Sequence, residues 1–355
     1  MTKSKILIVL PTLSAGGAER VLSFVADNLN TSNFIVKLVI VGHKKDAVYT
    51  TKNIPTLFLD KDRVRHGVLP IIKLIFKEKP AIVLSSIGHL NTIIALLSPF
   101  FPKTKFIIRE ASVISTMAKH SNTSKIYSIL AKISYPWLDG FICQSKDMAN
   151  DFQCLFRIDS SKLTVINNPI TSNLADLNVL ATTKDGPLKY ISIGRLSKEK
   201  GQKRIIKILS NLNIPFHYTI IGSGPEEEEL KVLVHQLNMS HKVTFITHTT
   251  DVNSYLKENH FFLQGSYVEG FPNTVLESCA VGTPVIAFNV PGGTKEIIEH
   301  SKNGFLVETE SEYFNMLTKK VAWDASQIKS NIKKRFSSTT IISSYENFFK
   351  TIISS

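Results

Sequence analysis

Residues Gly265–Gly282 read GSYVEGFPNTVLESCAVG and come one residue after the apolar run Phe261–Leu263. The apolar run predicts a buried strand, and the glycines after it predict a tight turn. Pro272 suits the first turn of a helix, where a missing N–H costs nothing, and the helix is expected to end near Gly282 and Pro284. We therefore predict a buried strand, a tight turn and a helix in succession.

Two carboxylates mark this stretch, with Glu269 in the turn and Glu277 about a turn and a half into the helix. Both can border one cavity. The backbone N–H groups of residues 270 to 274 are expected to point into it, where Gly270 permits close approach. Acidic groups beside an anion site suit a ligand with hydroxyls and phosphates, such as a nucleotide sugar. The alternative is a capping Glu269 and a solvent-facing Glu277, although the apolar neighbours of Glu277 make an unpartnered carboxylate costly there.

Length and composition predict a globular protein of two domains. The chain has 355 residues, of which 43% are hydrophobic and 20% charged. Its three cysteines form no CxxC pair, which favours a reducing compartment over a disulfide framework or a zinc site. The apolar run Ile6–Leu13 is interpreted as a first strand rather than a signal peptide, and no run reaches the ~18–20 residues of a membrane span. We expect a soluble, cytoplasmic protein that is at most peripheral to a membrane.

Charge is distributed unevenly along the chain. Residues 1–170 hold 22 Lys and Arg against 11 Asp and Glu, a net of +11, whereas residues 171–355 hold 20 against 18, a net of +2. A basic first half favours contact with an anionic substrate or an anionic membrane face. Nucleic acid lacks a supporting motif. A generally basic proteome is an equal alternative explanation of the charge.

Strand-like apolar runs alternate with helix-period segments almost throughout, which predicts an α/β fold of parallel sheets covered on both faces. The predicted elements include the strands Lys105–Arg109, Gly140–Cys143 and Gly304–Val307 and the helices Gln202–Leu209 and Thr294–His300. The run Asn167-Asn168-Pro169-Ile170 indicates a boundary, and residues 171–187 lack a strong apolar period. We predict a first domain over residues 1–170, a linker over 171–187 and a second domain over 188–340. Two doubly wound domains bind a ligand in the cleft between them, at the carboxyl ends of the strands.

Three further motifs follow predicted strands. The loop at 194–201, GRLSKEKG, carries Arg195 and Lys200, which can clamp a diphosphate unless the loop is simply a solvated turn. The glycine turns at 14–20, SAGGAER, and at 221–225, IGSGP, allow a ligand to approach the backbone, although a plain strand–helix turn explains the first equally well. No GxGxxG is present, so a dinucleotide site is not predicted. No DxD or clustered His supplies an ion site after these strands, so neither a required metal nor another cofactor is predicted.

These motifs resemble those of the retaining glycosyltransferases of family 4, which have the GT-B fold of two Rossmann-like domains facing across a cleft. The likeness runs from about Lys5 to Val307 and is most specific in the second domain. The resemblance implies an acceptor-binding first domain and a nucleotide-sugar-binding second domain. It also implies that the last helix, about residues 341–355, packs back on the first domain.

The resemblance also implies residue roles. Arg195 and Lys200 would neutralise the diphosphate, Glu269 would hold the hydroxyls of the donor sugar, and Glu277 would hold the ribose. Together with Glu277, the residues expected to bind the donor are Gly16, Gly17, Gly194, Gly222, Gly270, Phe271, Pro272, Asn273 and Thr274. On the acceptor side, the chain lacks the His that many relatives place after the strand ending in Arg109-Glu110. Arg109, Glu110 and the loop residue His120 are the acceptor candidates.

The function expected from this resemblance is the transfer of a hexose or an N-acetylhexosamine from a UDP-sugar to a glycan or lipid-linked glycan. The reaction would be retaining and metal-independent, by front-face attack, in bacterial surface polysaccharide synthesis such as capsule or lipopolysaccharide assembly. The alternatives are a UDP-sugar epimerase of the same architecture and a scaffold that binds nucleotide sugars without turnover. A third alternative, a nucleic-acid-binding protein, rests on charge alone.

Overall fold

The structure is a computed structural model that describes residues 3–117, 125–171 and 186–355. Two compact units divide the chain: Met1–Thr171 together with Ser338–Ser355, and Ser172–Ser337. The acceptor candidate His120 and most of the predicted linker lie outside the described residues. Each unit is built on a parallel sheet, so the predicted α/β fold of two parallel-sheet domains is confirmed.

The first unit contains a seven-stranded sheet of order β3-β2-β1-β4-β5-β6-β7, in which every neighbouring pair is parallel. The strands are β1 (Ser4–Leu10), β2 (Phe34–Ile40), β3 (Thr56–Phe58), β4 (Ile82–Ser86), β5 (Lys105–Arg109), β6 (Gly140–Cys143) and β7 (Leu163–Val165). The helices before the linker are α1 (Gly17–Asn28), α2 (Val68–Glu78), α3 (Gly88–Leu97), α4 (Ile114–Met117), α5 (Lys125–Ser134) and α6 (Lys146–Phe156).

The second unit contains a six-stranded parallel sheet of order β10-β9-β8-β11-β12-β13. Its strands are β8 (Leu188–Ile193), β9 (Phe216–Ile221), β10 (Val243–Ile246), β11 (Phe261–Gln264), β12 (Val285–Phe288) and β13 (Gly304–Val307). Its helices are α7 (Gln202–Leu209), α8 (Glu227–Gln236), α9 (Val252–Lys257), α10 (Asn273–Ala280), α11 (Thr294–Ile297), α12 (Glu310–Leu317) and α13 (Ala325–Phe336).

The strands are continuous apolar runs because helices cover both faces of a parallel sheet. In β1, the residues from Ile6 to Leu10 are all at most 1% exposed, including those that point to opposite faces. The same pattern in β5 and β6 explains why the sequence predicts both strands with their observed bounds. Consecutive burial is therefore what distinguishes these strands from the half-exposed strands of a sandwich.

Helix α11 is shorter than the predicted helix Thr294–His300. The backbone becomes extended at Ile298, and the side chain of Asn303 accounts for the break. Its amide nitrogen donates to the Ile297 carbonyl at 2.9 Å, and its oxygen accepts from the Glu299 N–H at 2.8 Å. A side chain from a following turn thus replaces the next helical hydrogen bonds, which local periodicity does not reveal.

The final helix, α14 (Ser338–Ser354), belongs to the first unit although the chain reaches it from the second. It contributes Ile341, Tyr345 and Phe349 to the apolar cluster built on β1, β2 and α1. Phe349 meets Phe34 edge-on at 6.2 Å between ring centroids. The helix therefore completes the core of the first unit.

None of the helices just described reaches the ~18–20 residues of a membrane span. At 17 residues, α14 is the longest of them. Within the described parts of the chain, no helix is both long and apolar enough to cross a bilayer.

Candidate functional site

Two loops of the second unit meet where the strand order of its sheet reverses. Strands β8 and β11 are neighbours, although the chain builds β9 and β10 between them. The carboxyl ends of such strands form the crevice in which doubly wound sheets bind ligands. Here the loop after β8 carries Lys200, and the loop after β11 carries Glu269. The Nζ atom of Lys200 lies 2.8 Å from each carboxylate oxygen of Glu269.

The Glu269 carboxylate is buried, with 8% of the residue exposed, and it is held by donors on several sides. Its Oε1 atom accepts a hydrogen bond from Ser266 Oγ at 2.6 Å and from Gln264 Nε2 at 3.4 Å. Gln264 is itself oriented by Thr294 Oγ1 at 3.2 Å. A buried carboxylate is tolerated only when paired and hydrogen-bonded, and these contacts meet that requirement. Its orientation is therefore set before any ligand binds.

Glycines allow these loops to pack against one another. A Cβ atom on Gly201, whose φ is +64°, would lie 1.9 Å from the Gly265 carbonyl oxygen. A Cβ atom on Gly292, whose φ is +124°, would lie 1.6 Å from the Glu269 carbonyl oxygen. The sequence predicts glycines at this edge for the approach of a ligand, but at these two positions the close neighbour is protein backbone. They fix the position of the Glu269 loop.

The predicted donor glycines Gly222, Gly194 and Gly16 have different surroundings. A Cβ atom on Gly222 would lie 1.9 Å from the carbonyl oxygen of Gly194, so this glycine also serves loop packing. A Cβ atom on Gly194 itself would meet nothing within 4 Å, which leaves open space beside its backbone. In the first unit, a Cβ atom on Gly16 would lie 2.0 Å from Glu19 Oε2, and the next residue, Gly17, is exposed at the start of α1. Of the three, only Gly194 borders open space.

Helix α10 begins at the candidate anion site. It starts at Asn273, and the preceding Pro272 provides no side-chain cap. Such an end favours a negatively charged ligand. Glu277 follows on the same helix and is 5% exposed. A helix N-terminus and a buried carboxylate thus occur within one short helix.

Other predicted donor residues on this loop differ in burial. Phe271 is 5% exposed and meets Phe336 of α13 edge-on at 5.5 Å, so its ring belongs to the protein interior. The carbonyl of Gly270 accepts from the N–H of Gly293 at 2.8 Å, which ties the loop to the turn after β12. Thr274 is half-buried in the first turn of α10. Phe271 can therefore contribute its backbone to a ligand site, but not its ring.

Arg195 offers a cation that the protein does not use internally. The residue is exposed, and its guanidinium makes no hydrogen bond or ion pair with the residues that the structure describes. Its carbonyl accepts from Gln202 Nε2 at 3.0 Å, which holds the backbone of this loop. A positioned backbone with a free guanidinium is suited to bidentate binding of phosphate.

Arg204 supports the site and was not predicted from the sequence. Its Nε atom donates to the Gly265 carbonyl at 2.5 Å, and its Nη2 atom donates to the Ser266 carbonyl. Its Cζ atom lies 3.5 Å from the ring centroid of Phe288 and 4.1 Å from that of Tyr267. Its partners are backbone carbonyls 61 and 62 residues further along the chain, so no local spacing signals this role.

In the first unit, the structure gives Arg109 an internal role. The sequence predicts it as an acceptor contact, but the residue is 0% exposed. Its Nε atom donates to Tyr345 Oη of α14 at 3.0 Å, and its Nη2 atom donates to Asn168 Oδ1 at 2.6 Å. Arg109 therefore joins the sheet to the last helix. Contact with an acceptor would require this cluster to open.

Glu110, the next residue, has a buried carboxyl group that is only partly hydrogen-bonded. It is 6% exposed, its Oε1 atom accepts from the Ala111 N–H at 2.9 Å, and its Oε2 atom has no hydrogen-bond partner among the described residues. Burial raises the pKa of Glu110 to about 7, against smaller opposing effects of the Ala111 N–H, Asn91 and Arg109. An ionised carboxylate is disfavoured there because it has lost water without gaining a full set of partners.

Replacing Glu110 by glutamine is expected to remove a pH dependence of stability. The unfolded chain ionises Glu110 near its ordinary pKa of 4.5, whereas the folded chain does so near 7. As the pH rises from 4.5 to about 7, the free energy of unfolding of the Glu110 protein therefore falls by roughly 3 kcal/mol relative to that of the glutamine variant. Above both pKa values this difference is constant. Urea unfolding of both proteins from pH 4 to 8 measures this difference. Parallel stability curves would show that Glu110 has an ordinary pKa in the folded protein.

Two family models match the chain, one to each unit. Residues 15–174 match "Glycosyltransferase Family 4", and residues 181–326 match "Glycosyl transferases group 1". Together the models span the strands from β2 to β13 and the loops that carry Lys200 and Glu269. The chain belongs to the glycosyltransferases of family 4, or group 1. The glycosyltransferase identity and the GT-B fold that the sequence predicts are thereby confirmed.

Individual relatives of this glycosyltransferase include two enzymes of Campylobacter jejuni. It is 28% identical over 327 residues to the N-acetylgalactosamine-N,N'-diacetylbacillosaminyl-diphospho-undecaprenol 4-alpha-N-acetylgalactosaminyltransferase of Campylobacter jejuni, with 87% of each chain covered. A second Campylobacter jejuni enzyme is an alpha-1,4-N-acetyl-D-galactosaminyltransferase whose name includes a PP-undecaprenol-linked glycan; it is 24% identical, with 87% of this chain and 86% of that protein covered. Among solved structures, HepE of Anabaena in complex with UDP has a TM-score of 0.80 at 19% identity, covering 98% of this chain and 100% of that one.

Proposed function

We propose that this glycosyltransferase moves a hexose or an N-acetylhexosamine from a UDP-sugar to a glycan or lipid-linked glycan acceptor, with retention of anomeric configuration. The observation that carries the proposal is the pairing of Lys200 with the buried Glu269 at the point where the strand order reverses. Acceptors joined to undecaprenyl diphosphate are favoured by the names of the two Campylobacter relatives. A role in surface polysaccharide synthesis follows from such acceptors.

Donor binding divides between cations and carboxylates of the second unit. Arg195 brings a free guanidinium, and Lys200 is about one-third exposed, so both can reach a diphosphate. Glu277 is placed to accept hydrogen bonds from the ribose hydroxyls, and Glu269 from the hydroxyls of the sugar. Both carboxylates are buried, so their orientation costs little at the moment of binding. Uridine as the base is supported by the UDP held in HepE.

The proposed mechanism is front-face attack. The bond from the sugar C1 atom to the diphosphate oxygen breaks while a bond from C1 to the acceptor oxygen forms on the same face. The acceptor hydroxyl gives its proton to an oxygen of the departing diphosphate, so no protein base and no covalent sugar–enzyme bond is needed. Arg195, Lys200 and the N-terminus of α10 stabilise the growing negative charge.

Charge compensation by these side chains makes a metal ion unnecessary in this mechanism. Arg195 has no internal partner among the described residues, and Lys200 is shared with only one carboxylate. We therefore propose that transfer proceeds without a divalent cation. Full activity in excess EDTA is the expected result, and activity restored only by added Mg²⁺ or Mn²⁺ would contradict it.

A peripheral contact with an anionic membrane, at the cytoplasmic face, fits a lipid-linked acceptor. The first unit is the basic half of the chain, and α5 exposes the apolar side chains of Ile126, Ile129 and Ile133 beside Lys132. Exposed apolar residues flanked by cations are typical of helices that lie in the membrane interface. Flotation with phosphatidylglycerol vesicles tests this contact. The protein should float with these anionic vesicles and should not float with neutral vesicles.

A ligand panel tests the proposed donor site. Addition of UDP or a UDP-sugar at 100 times its Kd should stabilise the protein by about 2.7 kcal/mol, which is measurable as a rise in Tm, whereas ADP and GDP should not. Replacement of Glu277 by glutamine keeps the buried volume but removes a carboxylate from the ribose, and should abolish the shift. The matched control is Glu228→Gln, because Glu228 is 85% exposed and lies outside the site. A shift that survives in Glu277→Gln would refute the assigned role.

Product analysis separates transfer from the alternatives. Purified protein is incubated with the UDP-sugar that gives the shift and with an undecaprenyl-diphosphate-linked glycan. A lengthened glycan carrying an α-linked sugar from an α-linked donor supports retaining transfer. Release of an epimerised sugar would support the epimerase, and binding without any product would support the scaffold.

A further inference from the structure

A second cavity of the second unit lies at the opposite edge of its sheet, where the strands begin. Its lining includes Leu188, the first residue of β8, Phe261, the first of β11, and Pro284, directly before β12. Its volume is 1140 Å³, enough for an organic ligand. The loops that carry Lys200 and Glu269 follow the other ends of these strands, so the proposed transfer does not use this cavity.

The floor of the cavity is apolar and aromatic. Trp323 lines it and meets the rings of Phe305 at 5.3 Å and Phe261 at 6.1 Å, both edge-on. The indole Nε1–H of Trp323 is buried and has no hydrogen-bond partner among the described residues. Buried donors are seldom left unpaired in folded proteins. The lining thus combines apolar surface with one donor that lacks an acceptor.

The rim of the cavity is strongly basic. Four lysines line it, Lys257, Lys319, Lys320 and Lys329, against a single carboxylate, that of Glu258, which is exposed. None of the four lysines forms an ion pair within the described part of the chain. Like charges gathered without counter-ions repel one another, so the arrangement costs stability unless an anion joins it.

Two lysines of this rim lie against the floor and the wall of the cavity. The Nζ atom of Lys319 lies 5.2 Å from the ring centroid of Phe305. A Cβ atom on Gly282 would lie 3.0 Å from Cε of Lys329, so that side chain extends over the cavity wall. Burial and the charge of Lys257 both lower the pKa of Lys329. Lys257 and Lys329 are therefore near enough for their charges to repel each other, and an anion bound on this rim would relieve that repulsion.

We propose that this cavity binds a phosphate-bearing ligand with an apolar body. The lysines would contact the phosphate oxygens as mobile point charges, and the apolar floor would take the body. The Trp323 Nε1–H would donate to an oxygen of the ligand. Such a ligand can come from a free phosphorylated metabolite or from a lipid headgroup, since both present the same chemistry.

Trp323 provides a direct readout of binding. The chain has two tryptophans, and the other, Trp137, lies in the first unit. The variant Trp137→Phe leaves Trp323 as the only indole, so a change in its emission reports on this cavity rather than on the donor site. The full-length variant is titrated with octyl phosphate below its micellar concentration. Inorganic phosphate and 1-octanol serve as the head and the body alone.

We expect a saturable emission change with octyl phosphate and at least tenfold weaker binding of inorganic phosphate and of octanol. The double substitution Lys257→Ala and Lys329→Ala should raise the Kd at least tenfold. Lys207→Ala is the matched control, because this exposed lysine lies on α7 outside the cavity, and it should leave the Kd unchanged. Sugar transfer should be normal in all these variants, since none of the changed residues belongs to the donor site.

A second pair of variants covers the case in which the double substitution disturbs folding. Lys319 and Lys320 are exposed residues of the rim, so Lys319→Glu with Lys320→Glu should weaken binding and leave the Tm almost unchanged. Phosphatidylglycerol vesicles identify the source: a lysine-dependent change with vesicles indicates a lipid headgroup, and a change with octyl phosphate alone indicates a free ligand. Absence of a saturable change with either, or equal affinity in the lysine variants, would overturn the proposal.

Discussion

Replacing Lys200 by alanine is expected to lower the rate of sugar transfer by about 10²–10³-fold while the protein remains folded. Lys200 lies in the loop after β8, and its Nζ atom pairs with the Glu269 carboxylate. In the proposed mechanism it meets a charge that grows as the diphosphate leaves, so its contribution is larger in the transition state than in the bound donor. The loss should therefore appear in kcat as well as in kcat/KM.

The matched control for this substitution is Lys203→Ala. Lys203 lies three residues further along and pairs with the exposed Glu229 at the surface, so its removal should leave turnover within twofold of the unsubstituted enzyme. Circular dichroism and the Tm of both variants establish that the fold is intact. Near-normal kcat in Lys200→Ala would exclude the proposed role, whereas a rise in KM alone would limit Lys200 to binding the donor in its ground state.

Replacing Phe349 by alanine is expected to destabilise the first unit by about 3–5 kcal/mol. Phe349 is 0% exposed, and its ring packs against Phe34 of β2 and against Tyr345 one turn earlier in α14. Removal of the ring leaves a cavity where α14 closes the core of this unit. Natural domains have a free energy of unfolding of about 5–15 kcal/mol, so this single change removes a large part of the stability of the unit.

Urea unfolding followed by the fluorescence of Trp137 measures this effect. A Trp323→Phe background removes the signal of the second unit, so that the transition belongs to the first. Lys350→Ala is the control, since this neighbouring residue is exposed and its truncation should change the free energy of unfolding by less than about 0.5 kcal/mol. Equal midpoints for Phe349→Ala and Lys350→Ala would mean that α14 is not part of the first unit's core.

Most elements could be predicted from the sequence because their signals are local. Helix α7 and strands β5, β6 and β13 have the predicted bounds, since apolar periodicity and glycine or proline punctuation occur within the segments themselves. Helix α11 ends early because of a side chain that comes after it in the chain, Asn303. Errors of this kind arise where the deciding contact lies outside the segment.

The candidate site shows the same division. The sequence places Lys200 and Glu269 in one site, because the carboxyl ends of neighbouring strands share an edge of the sheet. Their direct pairing, and the clamping of the Glu269 loop by Arg204, depend on side chains 69 and 61 residues apart in the chain and could not be deduced from spacing. Arg109 illustrates the opposite case, in which a charged residue at a strand end is completely buried by a distant helix.

Local sequence therefore determined the α/β class of this protein, the order of its strands and helices, and which loops carry the residues of the proposed site. The packed chain determined which of those side chains are free. Arg195 is left exposed, whereas Arg109 is taken up by Tyr345 and Asn168. The physical reason is that burial and hydrogen bonding are properties of residues brought together from distant parts of the chain, while helical and strand periods are properties of neighbours.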